Sequence, residues 1–250
     1  MDPVIVRDVV LGDGVPKICV PLVAHTAAQL DEALDAIEPA DCDLVEFRAD
    51  FYFEDDIPAL KKIRDRMGNR PVIYTIRTSE EGGEIEIAED EYEARILAAS
   101  PYIDMADIQL ERLHIKMQNE ILHSRIIPKL HERGVKVICS WHDFTKTPEP
   151  VELIRKMMTM QEEGCDISKI AVMARDRGDV AKLIQASIEM LETHADRPFI
   201  TMSMGNLGKI TRAAGSFTGS CMTFGMAGTG SAPGQIPAPQ LRQMLKVFVS

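Results

Sequence analysis

Two stretches, Lys136-Val137-Ile138-Cys139-Ser140-Trp141-His142-Asp143 and Ile167-Ser168-Lys169-Ile170-Ala171-Val172-Met173, decide how this chain folds. Both are apolar, strand-like runs, and each has one titratable side chain set into it. Side chains alternate faces along a strand, so Ile138, Ser140 and His142 share one face, and Lys169 shares a face with Ala171 and Met173. A lysine inside such a run is out of place. Burying an ammonium is costly, and a buried lysine commonly becomes a neutral amine, which is a nucleophile toward carbonyls. One helix-length segment joins the two runs, so they read as parallel strands of a βαβ unit with His142 near Lys169. A lysine at a strand end and a core histidine bonded to backbone would fit the same positions, so the rest of the chain has to choose.

Outward from this pair, the same kind of run recurs. Strand candidates span Ile18 to Val23, Leu44 to Ala49, Pro71 to Arg77, Met105 to Leu110, Lys136 to His142, Ile167 to Met173, Phe199 to Met204 and Cys221 to Met226, starting 22 to 34 residues apart. Helix signals fill most of the gaps. Thr26-Ala27-Ala28-Gln29 is a capping box ahead of Leu30, Leu34 and Ile37. Pro58 suits the first turn of a helix ending at Gly68. Glu89 to Ala99, Lys116 to His131 with a break or kink at Pro128, Pro148 to Glu163, and Asp179 to His194 read as further helices. The methionines at 157, 158 and 160 read as core filler. The last gap leaves room for only a small seventh helix. Eight strands alternating with helices, with no linker between them, predict an α/β protein with a single (β/α)8 TIM barrel over residues 1–250. The competing doubly wound sheet lacks a Gly-x-Gly-x-x-Gly after the first strand. Residues 4 to 11, ending at Gly12-Asp13-Gly14, predict a short N-terminal hairpin closing the bottom of the barrel.

The 250 residues suit one barrel, and 28 basic against 39 acidic residues give a net charge of −11 without a basic run. That argues against nucleic acid or an anionic membrane as partner, and an anionic ligand would need a local cluster of cations. Cys19, Cys42, Cys139, Cys165 and Cys221 are scattered without metal-ligand spacing and read as reduced and buried, in a cytoplasmic protein. Neither a leader nor an apolar run of about 18 residues is apparent.

Barrel enzymes keep their chemistry at the carboxyl ends of the strands. There Glu46 and Arg48 share one face, Thr75 and Arg77 another, His142 closes the fifth strand and Lys169 lies inside the sixth. Glu46 with Arg48 also reads as a structural ion pair. Charges from four strands pointing inward read together as a polar pocket, since a barrel filled with aliphatic side chains would avoid their desolvation. Glu81, in the loop after the third strand, is placed to orient His142, and Arg212, after the seventh, suits a carboxylate clamp. The Gly-rich segment Gly228 to Gln235 suits a mobile lid or a phosphate cradle.

The stretches Glu46-Phe47-Arg48-Ala49-Asp50, Thr75-Ile76-Arg77, Glu81-Gly82-Gly83, Ser140-Trp141-His142-Asp143-Phe144, Lys169-Ile170-Ala171-Val172-Met173, Thr201-Met202-Ser203-Met204 and Ser231-Ala232-Pro233-Gly234-Gln235 occur in order at barrel spacing. In them the sequence resembles the type I 3-dehydroquinate dehydratases over essentially its full length. The resemblance implies dehydration of 3-dehydroquinate to 3-dehydroshikimate, a step of the shikimate pathway, with Lys169 forming a Schiff base, His142 as general acid and base, and Glu81 as its carboxylate partner. It implies that Glu46, Arg48 and Arg77 hold the ring hydroxyls, that Arg212 clamps the substrate carboxylate, and that Ser231, Gln235 and Met204 close over the ring. No metal or other cofactor is needed for that chemistry, and a homodimer is expected. Three positions depart from the family: Trp141 where Tyr is frequent, Ala174 where Pro is, and Gln109 where a carboxylate is expected. A class I aldolase barrel, whose lid would hold a phosphate, and a non-catalytic ligand-binding barrel are the alternatives.

Overall fold

A computed structural model describes residues 1–37, 40–117, 120–228 and 230–248. The chain opens with an antiparallel hairpin of β1 (Val4–Val6) and β2 (Val9–Leu11). Then β3 (Lys17–Leu22), α1 (Ala27–Ile37), β4 (Leu44–Arg48), α2 (Asp56–Met67), β5 (Val72–Thr75), α3 (Glu89–Ala99) and β6 (Met105–Gln109) alternate. After a second hairpin, β7 (His114–Met117) and β8 (Glu120–His123), the alternation resumes with α4 (Ile126–His131), β9 (Lys136–Asp143), α5 (Pro150–Glu162), β10 (Ile167–Met173), α6 (Arg177–Glu189) and β11 (Phe199–Met204). Two short helices, α7 (Lys209–Ala213) and α8 (Gly215–Thr218), precede β12 (Met222–Met226), β13 (Ile236–Pro237) and α9 (Ala238–Val247).

The local causes are those of the sequence. Thr26 Oγ1 accepts from Gln29 N at 3.4 Å, the first arm of the expected box at the start of α1; the returning Gln29 Oε1 accepts from His25 N at 2.7 Å, one residue before the cap. Asp55 caps α2 by accepting from Ile57 N at 2.9 Å, Pro58 sits in its first turn, and Gly68 ends it at φ 56°. The small seventh helix is present, as α7 and α8.

The main sheet runs β11-β10-β9-β6-β5-β4-β3-β12-β13 with parallel neighbours throughout. Its ends meet in a narrow seam: Cys221 N donates to Phe199 O at 2.9 Å, and Thr201 N donates to Ser220 Oγ at 3.1 Å. The result is the predicted barrel. Outward side chains such as Val45, Phe47, Tyr74, Ile108, Val137, Ile170 and Val172 pack in one buried layer with Leu30, Leu60, Ile96, Leu153, Leu183 and Leu241 from the helices. Each such residue stabilises the fold by about 1.5–3 kcal/mol. Inside the barrel, Cys19, Leu44, Ile73, Met105, Ile138, Ile167, Ile200 and Met222 form an apolar floor that also holds Val6 and Leu11, so the hairpin closes the amino-terminal mouth.

One helix differs from the sequence reading. Lys116, Met117 and the residues from Glu120 to Arg125 are not helical, because β7 and β8 form an antiparallel ladder with His114 opposite His123 and Met117 opposite Glu120. Gln118 and Asn119, in that expected helix, lie outside the described residues. Polar and apolar residues alternate from His114 to Met117, a period of two that competes with helical spacing. The helix itself begins at Ile126, whose N donates to Ser124 Oγ at 3.2 Å, so Pro128 falls in its first turn, where a missing N–H costs nothing. Met157 and Met160 are core residues as read, whereas Met158 is exposed. All five cysteines are buried and unpaired. No helix among the described residues is long and apolar enough to cross a membrane.

Candidate active site

Lys169 pairs in register with Ser140 of β9 and Ile200 of β11, and Ala171 pairs with His142. Lys169 and His142 are therefore near neighbours on the inner face of adjacent strands, one layer apart. The amine is 4% exposed and has carboxylate company: Nζ donates to Asp107 Oδ2 at 2.8 Å, stands 3.9 Å from Glu46 Oε1, and lies over the Phe224 ring at 4.5 Å.

Asp107, which the sequence reading passed over, is the hub. Its Oδ1 accepts from Arg77 Nη2 at 2.7 Å and from Ser140 Oγ at 2.5 Å while Oδ2 holds Lys169. Burial alone would raise its pKa, but Arg77 and then Lys169 outweigh burial and hold the carboxyl well below the ordinary carboxylate range. This is the carboxylate of the β6 strand; Gln109, where one was expected, does something else. Its Oε1 accepts from Thr78 N at 2.9 Å and its Nε2 donates to Thr78 Oγ1 at 3.1 Å, fixing the start of the turn that carries Glu81.

That turn brings Glu81 Oε2 to 2.8 Å from His142 Nδ1 and 3.3 Å from Arg77 Nη1. Its tightness depends on Gly83, where a Cβ would stand 1.8 Å from the Arg77 carbonyl oxygen. Burial pushes Glu81 up to about 7, Arg77 pulls it down and Asp107 adds to the rise; its other oxygen is buried with no partner among the described residues. Burial likewise holds His142 well below the usual imidazole value, with Arg77 and Lys169 adding to the fall and Asp107 opposing it. A neutral ring whose Nδ1 is taken by Glu81 presents Nε2 to the cavity.

The binding candidates surround this centre. Glu46 and Arg48 are not an ion pair. Glu46 Oε1 accepts from Thr75 Oγ1 at 2.8 Å, whereas Arg48 makes a bidentate pair with Asp50 at 2.8 and 2.7 Å. Arg212 is 1% exposed and has no carboxylate partner among the described residues. Its contacts are the carbonyl of Phe224 at 3.4 Å, the carbonyl of Pro233 at 3.1 Å and Met202 Sδ at 3.7 Å; Nε has none. Burial without a counter-charge pulls this guanidinium down to about 10, which an anionic ligand would reverse. Ser231 N donates to Gln235 Oε1 at 2.8 Å and Gln235 Nε2 to Ser231 Oγ at 3.2 Å, so the Gly228 to Gln235 segment closes on itself over the site. Thr229 of that segment lies outside the described residues.

One cavity is lined by all ten predicted site residues, Glu46, Arg48, Arg77, Glu81, His142, Lys169, Met204, Arg212, Ser231 and Gln235. Met202, Phe224 and Phe144 line it as well and were not singled out. Trp141 lies outside it, under Lys156 Nζ at 4.1 Å, and Ala174 does not reach it. A buried amine beside a neutral imidazole, with a cation lacking an anion across the cavity, is equipped to condense with a carbonyl and move protons on a small anionic substrate.

Comparison with known proteins agrees. The model of the family described as type I 3-dehydroquinase matches residues 18–249. A 3-dehydroquinate dehydratase of Syntrophotalea carbinolica is 44% identical over 99% of this chain and 98% of its own, and one of Enterococcus faecalis is 40% identical over 99% and 98%. Among solved structures, the type I 3-dehydroquinate dehydratase of Clostridium difficile, with covalently modified comenic acid, superposes with a TM-score of 0.91 at 34% identity, covering 99% of this chain and 98% of that one. The 3-dehydroquinate dehydratase of Geobacillus kaustophilus also scores 0.91, at 33% identity and coverages of 99% and 96%. A 3-keto-L-gulonate-6-phosphate decarboxylase of Vibrio cholerae, 12% identical with a TM-score of 0.58 over 95% and 100% of the two chains, shares the fold alone.

Proposed function

The chain belongs to the type I 3-dehydroquinase family, and on that premise we propose that it dehydrates 3-dehydroquinate to 3-dehydroshikimate through an imine on Lys169, with His142 moving the protons. The observation that carries the reading is the buried amine of Lys169 one layer below a neutral His142 in a cavity whose Arg212 lacks an anion.

In this mechanism the amine, once deprotonated, attacks the ring ketone and water leaves, giving a protonated imine. Asp107 keeps its negative charge and accepts a hydrogen bond from the protonated imine nitrogen as it now accepts one from the amine. The imine is an electron sink, so the neutral Nε2 of His142 removes the proton from the adjacent carbon. The enamine expels the β-hydroxyl, His142 returns its proton to the departing water, and hydrolysis restores Lys169. Glu46, Arg48 and Arg77 face the ring hydroxyls, Arg212 takes the carboxylate, and Ser231, Gln235 and Met204 close over the ring. Asp50 and Thr75 keep Arg48 and Glu46 in place. No step calls for a metal or an organic cofactor.

Residues 1–250 act as one catalytic domain, a reading supported by an unbroken main sheet from Lys17 to Pro237. A homodimer in the cytoplasm completes it; five unpaired buried cysteines suit a reducing compartment, and exposed Leu207, Ile210 and Phe217 offer apolar surface to a second copy.

The test is borohydride reduction with 3-dehydroquinate, followed by intact mass and peptide mapping. An adduct confined to the Lys169 peptide is expected. Product without an adduct would remove the imine, and the absence of both would remove the substrate.

A further inference from the structure

Outside this cavity, the described residues contain one cluster of three metal-ligating side chains, and it lies on the hairpin that interrupts the barrel's rhythm. The β7–β8 ladder puts His114 directly opposite His123, which places both imidazoles on one face of the ribbon. Their centroids are 5.2 Å apart with the rings at 84°, so the nitrogens converge and the rings do not stack. Glu163, the C-cap just past α5, comes from a different βα unit. A single oxygen of it, Oε1, lies 2.8 Å from His114 Nε2 and 3.3 Å from His123 Nδ1.

We propose that His114, His123 and Glu163 form a binding site for a transition-metal dication of the zinc class. Zinc takes imidazole nitrogen at about 2.0–2.1 Å and carboxylate oxygen at about 2.0–2.2 Å, so tetrahedral donors stand about 3.3 Å apart. The three donor atoms here already lie within 4.8 Å of one another, and small side-chain rotations bring them to that spacing. Two nitrogens and one oxygen favour zinc, cobalt, nickel or copper over magnesium and calcium, which prefer oxygen alone. Three protein ligands leave a position for water. The site is open to solvent, since His123 is exposed and His114 lines a cleft whose carboxylates Glu80, Glu89 and Glu111 are paired with Arg112 and Lys156. A bound ion clips the hairpin that follows β6 to the turn that leads into β10, joining two segments far apart in sequence, and so stabilises the folded chain by mass action.

Equilibrium dialysis of the full chain against zinc(II), with cobalt(II) absorption and thermal melts, tests this. Expected are one equivalent bound with a Kd of micromolar or below, loss of more than roughly 100-fold in affinity in His114→Ala/His123→Ala, since removing two of three direct ligands costs more than the 10–100-fold of an outer-shell partner, and no loss in His142→Ala. Zinc should raise the Tm of the parent chain but not of the double variant. His123 is 64% exposed, so His123→Ala alone folds and should already weaken binding about tenfold or more if the double variant does not fold. No saturable binding, binding unchanged in the His114 and His123 variants, or binding lost in His142→Ala would each overturn the site and leave the trio an ordinary histidine–carboxylate contact.

Discussion

Glu81 decides which nitrogen of His142 is the base. Because burial lifts its carboxyl to about 7, it is protonated in mild acid and charged above neutrality, while the ring beside it stays neutral throughout. When charged, Glu81 accepts from Nδ1–H and leaves Nε2 free to take a proton. When protonated, it donates to Nδ1, the ring carries its proton on Nε2, and the base is gone. The acid limb of the kcat/KM profile, which reports the free enzyme, should therefore fall near pH 7 and belong to the pair, set by Glu81. In Glu81→Gln that limb should disappear, and kcat should fall by less than the roughly 10²–10⁴-fold that loss of the base itself costs. A kcat/KM–pH profile with the limb unmoved would assign the titration to another group. Lys169 and His142 stand out in the sequence as misfits in apolar runs. Asp107 is the same kind of misfit within Met105 to Leu110, but nothing local ties it to the site, because its partners Arg77, Ser140 and Lys169 are 30, 33 and 62 residues away.

The closing segment shows what one element adds. The carbonyl of Pro233 accepts from both Gly205 N at 3.3 Å and Arg212 Nη2 at 3.1 Å, so one peptide fastens the lid to the β11 loop and positions the proposed clamp. The turn is possible because Gly234 sits at φ +80°, where a Cβ would also approach the Gly205 carbonyl oxygen to 2.4 Å. Gly234→Ala therefore meets both a left-handed penalty of about 1–2 kcal/mol and a backbone clash, and relief means lifting Pro233 off Arg212. Steady-state kinetics should show KM for 3-dehydroquinate raised roughly tenfold with kcat much less affected, because the lid holds the ring and the chemistry lies below it. A kcat loss with KM unchanged would place the segment in the chemical step instead. Elements of this kind were legible unequally. Strand runs, caps and terminating glycines are local signals and gave the barrel, whereas the β7–β8 hairpin depends on a competition between two periods over four residues, which tertiary context decided.

For the molecule as a whole, the buried charges make stability depend on pH in opposing ways. Asp107 is depressed, so its contribution is present above about pH 3.9 and is lost as acid protonates it. His142 is depressed too; its contribution is present above about 6.5 and is lost on acidification, because the unfolded ring takes a proton that the folded one refuses. Glu81 has the other sign. Raised to about 7, it favours the fold below about pH 4.3, and that advantage drains as the pH climbs through 7. From pH 5 to 6.5 the last two nearly cancel, each worth about 1.4 kcal/mol per pH unit, whereas below pH 4 nothing offsets Asp107. Removing Glu81 leaves the imidazole slope uncovered. Calorimetric melts at constant ionic strength should show the Tm of Glu81→Gln rising relative to the parent between pH 5 and 6.5, by about 2 kcal/mol or about 4–8 °C. If the two curves run parallel there, the carboxyl of Glu81 does not titrate across that window in the folded barrel, and the acid limb assigned to it loses its physical basis.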